Sequence, residues 1–202
     1  MIKLENVSVS YGEQSIIKDL SFTFEDGHVY ALSGESGIGK TTLLNAIAGL
    51  VPLQGGSIVS EHEKIGYIFQ DPRLFPWMTA LDNVICACDD EEKARYYLEL
   101  LLPDCNDKYP HELSGGMKQR VSIARALAYD PDVILLDEPF KGLDDANKSN
   151  TVNIVMQELS KKTAILVSHD KSELALASDV YVMEGAPVTK LTQVKSGTPL
   201  TE

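Results

Sequence analysis

Three apolar stretches of this chain end in residue types suited to phosphate chemistry. The first leads into Gly34-Glu35-Ser36-Gly37-Ile38-Gly39-Lys40-Thr41, which matches G-x-x-x-x-G-K-[ST]. Glycines at these spacings let backbone N–H groups converge on phosphate oxygens without interference from Cβ atoms. The helix start that follows, through Thr42, favours an anion by its dipole. Lys40 is expected on the β- and γ-phosphates, and the Thr41 hydroxyl on Mg²⁺. The pair Gly37-x-Gly39 hints at a dinucleotide fold, but Thr42 stands where a third glycine belongs and Lys40 intrudes.

The second run, "VILLDEP" (Val133–Pro139), is an apolar strand ending in two acids. Asp137 at its carboxyl end is placed to reach the Mg²⁺ shell, and Glu138 to accept a proton from an attacking water. The bland alternative is two solvated acids at a strand end. The third run, "AILVS" (Ala164–Ser168), ends in His169-Asp170, and His169 can donate to a γ-phosphate. A further anion site is written into "LSGGMKQR" (Leu113–Arg120). There Ser114 is a good N-cap, and Gly115 and Gly116 leave the first backbone turn bare. One chain would then carry two phosphate-binding helix starts.

Positioning these residues requires an α/β core. Strand patterns cover Ile2–Tyr11, Ile16–Glu25, His28–Gly34, Ser57–Ser60 and Ile65–Phe69. Helical spacing runs from Lys40 to Leu50. Helical patterns follow the two prolines of "QDPRLFPWMTALDNV" (Gln70–Val84), including apolar stripes in Glu91–Leu102 and in the helix after Ser114. Strand and helix alternate again from Val133. The expectation is one domain over residues 1–202: a core of 1–71 and 129–202, with a helical insertion of about 72–128. Its sheet is largely parallel, with antiparallel N-terminal strands. Three parallel strands would deliver Lys40, Asp137, Glu138 and His169 to one crevice.

Bulk properties narrow the partners. The chain has 202 residues, a net charge of −12 and a pI near 4.7, a poor match to a nucleic-acid surface. No apolar run approaches the ~20 residues of a membrane span, and "MIKLENVSVS" has no signal-peptide core. A soluble intracellular protein is expected. Cys86, Cys88 and Cys105 lack metal-site spacing and read as small buried or half-buried side chains. The acidic run Asp89–Glu92 reads as a solvated helix start. "NKSN" (Asn147–Asn150) superficially suggests the base-reading Asn-Lys-x-Asp of GTPases, but Asn150 stands where the Asp is needed.

Taken together and in this order, the motifs resemble the ATP-binding cassette family, the ATPase subunits of ABC transporters. The likeness covers nearly the whole chain. It adds Gln70 as the Q-loop glutamine, "GLD" (Gly142–Asp144) as the D-loop and "LSGGMKQR" as the family signature. The resemblance implies ATP and Mg²⁺ as ligands. The loop backbone would hold phosphates, while Thr41, Gln70 and Asp137 would hold or sense the metal. Glu138 would be the general base, aided by His169, Gln70 and Lys40, and Tyr11 would stack on adenine. Ser114, Gly115 and Gly116 would complete the site of a second subunit, with Asp144 across that interface. Partners would be a second cassette and integral membrane permease subunits, without nucleic acid. The place would be the cytoplasm, peripheral on the inner face of the membrane. "FPWMTALDNV" (Phe75–Val84) is similar to the segment in importers of the nitrate, sulfonate and taurine group, and "EPFKGLD" fits importer cassettes. The stretch between Val84 and Leu113 is shorter than in many relatives, and no regulatory domain is expected after "DVYVMEG". Two other readings compete with an importer ATPase: a soluble cassette enzyme acting on DNA or ribosomes, and a nucleotide-dependent regulator without turnover.

Overall fold

The computed structural model describes residues 1–160 and 162–195. Strands β1 (Ile2–Tyr11) and β2 (Gln14–Phe24) form an antiparallel hairpin, and β4 (Gly55–Ser60) pairs antiparallel with the other edge of β1. The remaining strands are β3 (Val29–Ser33), β5 (Ile65–Ile68), β6 (Val133–Asp137), β7 (Thr163–Val167), β8 (Asp179–Gly185) and β9 (Val188–Lys195). Among the described residues they join one sheet in the order β4-β1-β2-β9-β8-β3-β7-β6-β5. Pairing is parallel from β8 through β3, β7 and β6 to β5. The expected mixed sheet is therefore present, with one addition. The antiparallel β8–β9 hairpin sits between the N-terminal strands and the parallel core, and β9 meets β2 through one parallel pair, Ile17 and Val188.

The parallel strands are apolar on both faces because both faces are covered. β6 and β7 are buried at every position. On one face α1 (Lys40–Ile47) packs Leu43, Leu44 and Ile47 against Tyr30, Leu32, Leu135, Ile165 and Val167. The other face carries α5 (Asp145–Leu159) and three helices that follow Gln70: α2 (Ala80–Cys88), α3 (Glu91–Leu101) and α4 (Gly115–Ala128). Val84, Leu98, Val121 and Leu127 from these helices share one apolar cluster with Ala31, Ile134, Leu136 and Leu166 of the sheet. The helices after Gln70 thus rest on the sheet through a continuous core.

Local signals set the helix ends. Thr79 and Asp82 form a capping box at α2, Asp90 caps α3, and Asp144 caps α5 through the Asn147 N–H. Helix α1 is shorter than its spacing implies: it stops at Ile47 rather than Leu50, because Gly49 at φ +69° takes the left-handed turn that ends it. Cys86 also departs from expectation. It is exposed on α2, turned away from the stripe of Ala80, Leu81 and Val84, while Cys88 is half-buried and Cys105 buried.

Candidate active site

Adjacency in the sheet assembles the site. β3, β7 and β6 lie side by side and parallel, so their carboxyl ends open on one edge. β5 flanks β6 and carries Gln70 two residues beyond its end. The resulting cleft of about 280 Å³ is lined by Ser36, Gly37, Gly39, Lys40, Thr41, Thr42, Gln70, Asp137, Glu138, Lys141, Val167 and His169.

The loop after β3 takes conformations that side chains disfavour. Gly39 has φ +117°, and a Cβ there would lie 2.6 Å from Ile16 Cγ2. Gly37 at φ +79° has open space where a Cβ would sit. The loop closes over its own lysine: Lys40 Nζ donates to the carbonyls of Gly34 at 3.0 Å and Glu35 at 2.8 Å. Only 6% of Lys40 is exposed. Burial pulls its ammonium below the usual lysine range, against the opposing carboxylates of Glu138 and Asp137.

Across the cleft, Thr41 Oγ1 donates to Asp137 Oδ2 at 2.8 Å. Burial pushes the Asp137 carboxyl up, the Thr41 hydrogen bond counters it, and the neighbouring Glu138 charge adds to the rise. Two hard oxygens side by side, one of them an anion, suit Mg²⁺. A buried ammonium inside a loop of small residues suits a polyphosphate. The residues present therefore fit both groups.

Glu138 is held on several sides. Its backbone is left-handed at φ +46°, unusual for a non-glycine residue. Its N–H donates to Val167 O at 2.9 Å, which ties it to β7. Oε2 accepts from Gln70 Nε2 at 3.1 Å and from Lys141 Nζ at 2.6 Å, while Oε1 lies 3.6 Å from His169 Nε2. The flanks of His169 are bonded too: Ser168 Oγ accepts from the Asp170 N–H and donates to the buried Glu173 at 2.6 Å.

The profile of the ABC transporter family matches residues 17–141. The chain belongs to the ABC transporter family. It is an ATP-binding ATPase of that family. A Bacillus cereus protein named as the aliphatic sulfonates import ATP-binding protein SsuB is 36% identical, over 92% of this chain and 82% of its own length. The nitrate transport protein NasD of Klebsiella oxytoca is 37% identical, over 94% of this chain and 81% of its own. Among solved structures, the dimeric post-hydrolysis state of the ATP-binding cassette MJ0796 bound to ADP and phosphate superposes with a TM-score of 0.87. Its identity is 27%, covering 96% of this chain and 99% of that one.

Not every residue that the ABC motifs nominate lies in the cleft. Ser114 is exposed and caps α4 by accepting from the Met117 N–H. Gly116 packs on the D-loop, since a Cβ there would meet Gly142 O at 3.0 Å. Asp144 faces its own helix, and Asn147 links it to Arg120 of α4. Tyr11, half-exposed at the end of β1, is not among the lining residues.

Two residues that contact the cleft's neighbourhood escape a sequence reading. The amide of Gln119, 2% exposed, donates to Pro139 O at 2.9 Å and to Phe69 O at 3.4 Å, next to Glu138 and Gln70 respectively. Lys141 sits on Glu138. The one sequence signal for Lys141 is its place three residues after Glu138 in a turn.

Proposed function

We propose that the chain is the ATP-hydrolysing subunit of an importer, and that it works as a pair of cassettes on membrane permease subunits. The observation that carries this reading is the convergence of Lys40, Thr41, Asp137, Glu138, Gln70 and His169 on one cleft. Lys40 and the glycine loop bind the phosphates of ATP. Thr41 and Asp137, with Gln70 beside them, would hold Mg²⁺, whose charge would offset that of the phosphates. Glu138 takes a proton from the attacking water, His169 donates to the γ-phosphate, and Gln70 links the cleft to the helices that follow it. Tyr11 stacks on the adenine.

The second anion site supports pairing. Ser114 and Gly116 do not line their own cleft, so a second copy would use them, and two-fold symmetry then creates two ATP sites. Asp144 lies at that interface. Binding closes the pair and hydrolysis reopens it. Among the described residues no helix is long and apolar enough to cross a membrane, which suits a subunit held on the inner face by separate permeases. The relatives named for sulfonate and nitrate transport point to small oxyanions as the cargo class.

Glu138→Gln tests the reading. Hydrolysis should fall by about 10²-fold or more, and the variant should elute as a dimer in saturating MgATP and as a monomer without it. A strictly monomeric elution at saturating MgATP would reject the paired mechanism.

A further inference from the structure

We propose that Lys141 is a positioning residue for hydrolysis: it pins Oε2 of Glu138 so that Oε1, on the His169 side, receives the proton. The proposal rests on the reading of Glu138 as general base. Oε2 is occupied twice, by Lys141 Nζ at 2.6 Å and by Gln70 Nε2 at 3.1 Å. Oε1 has a looser neighbour, His169 Nε2 at 3.6 Å. Here the two cleft-lining donors converge on one oxygen and leave the other toward the cleft's histidine.

The backbone gives Lys141 a firm base. Its N–H donates to Glu138 O at 3.2 Å, closing a turn through Pro139 and Phe140. Phe140 is buried, and Gln119 holds the Pro139 carbonyl. The turn places the ammonium above the carboxylate. A left-handed backbone such as that of Glu138 persists where its surroundings over-determine it. The Val167 carbonyl holds its N–H, and Lys141 holds its side chain.

In the reaction, the water oxygen bonds to the γ-phosphorus as the bond to the bridging oxygen breaks. ADP carries away that electron pair, and the water proton passes to Glu138 Oε1. Lys141 touches neither water nor phosphorus in this scheme. It sets which oxygen is basic and where it points. The Lys141 side chain is 60% exposed, and an ion pair this open contributes little to folding. A role in stability alone is therefore a poor account of it.

The experiment compares steady-state MgATP hydrolysis, affinity for a fluorescent ATP analogue and Tm in the wild type, Lys141→Met, Lys141→Arg and Glu138→Gln. Lys141→Met should lose about tenfold or more in kcat, ~1.4 kcal/mol of barrier. KM and nucleotide affinity should stay within about twofold, and Tm should hardly move. Lys141→Arg should recover most of the rate. An unchanged or higher kcat in Lys141→Met, with Glu138→Gln inactive, would overturn the proposal and leave the general base standing. A loss shared equally by kcat/KM and nucleotide affinity would also overturn it, by moving Lys141 to the nucleotide. A normal rate in Glu138→Gln would overturn both. If Lys141→Met is poorly folded, Lys141→Gln keeps a donor of shorter reach without the charge. The same kcat loss is expected there, and full activity would count against the proposal.

Discussion

Thr41 Oγ1 donates to Asp137 Oδ2 at 2.8 Å, joining the first turn of α1 to the carboxyl end of β6 across 96 residues of chain. The bond opposes the burial that pushes the Asp137 carboxyl up. Thr41→Ala removes both the hydroxyl and that restraint. Hydrolysis with Mg²⁺ should drop by about tenfold or more, while binding of ATP measured in EDTA should match the wild type. An equal loss of binding in EDTA would assign Thr41 to the phosphates rather than the metal.

Lys40 offers a simpler test. Its ammonium now serves two loop carbonyls, and phosphate oxygens are stronger partners for a charged donor. Lys40→Ala should weaken ATP binding by about tenfold or more, since a charge-assisted hydrogen bond is lost. Titration with a fluorescent nucleotide measures this. Undiminished affinity in a folded variant would refute the assignment of the cleft.

Ser114→Arg tests the proposed second anion site apart from the cleft. The side chain is exposed and outside the cleft, so the monomer should bind ATP as the wild type does. In a Glu138→Gln background, the added arginine should block pairing driven by MgATP, read by light scattering. Loss of nucleotide binding by the folded monomer would show that Ser114 serves its own cleft.

Lys148 supports the segment that carries His169. Its ammonium is 2.6 Å from both Asp170 and Glu173. Lys148→Met strips the lysine from Oε1 of the Glu173 carboxylate, 5% exposed, while Ser168 still donates to Oε2. An abandoned buried acceptor costs about 1–3 kcal/mol, and Tm should fall by roughly 2–4 °C for each kcal/mol in a chain of this size. The hydrogen bond and charge of Lys148, with the Ser172 hydroxyl and N–H, hold the Asp170 carboxyl well below the usual range. Its contribution is therefore complete above the ordinary carboxylate range and lost as pH falls through the depressed value. Melting curves of variant and wild type should converge in acid. A constant gap at every pH would deny the ion pair a role.

Much of the architecture is legible along the chain. β6 and β7 read as strands because continuous apolar runs bounded by polar residues have few other uses. The glycine loop is legible because its conformation depends on residues within one turn of it. Less legible are features made by chain reversal. The β8–β9 hairpin has ordinary strand composition, and nothing local says that it wedges between β2 and β3. The boundary of α1 turned on the φ of Gly49, and the exposure of Cys86 on which side of α2 met the core.

The same division runs through the site. Sequence alone determined the kinds of chemistry available: a glycine-rich loop with a lysine at Gly34–Thr41, paired acids at Asp137 and Glu138, and a second helix start at Ser114. These are local patterns, where residue type and spacing dictate backbone shape and charge. Only the tertiary structure decided who meets whom. It brought Gln70, Lys141 and His169 around the carboxylate of Glu138, sent Gln119 to the carbonyls of Phe69 and Pro139, and kept Ser114 out of the cleft. Strand order and helix packing set these distances. They arise from burying apolar faces far apart in the chain, a sum over the whole core that no short stretch contains.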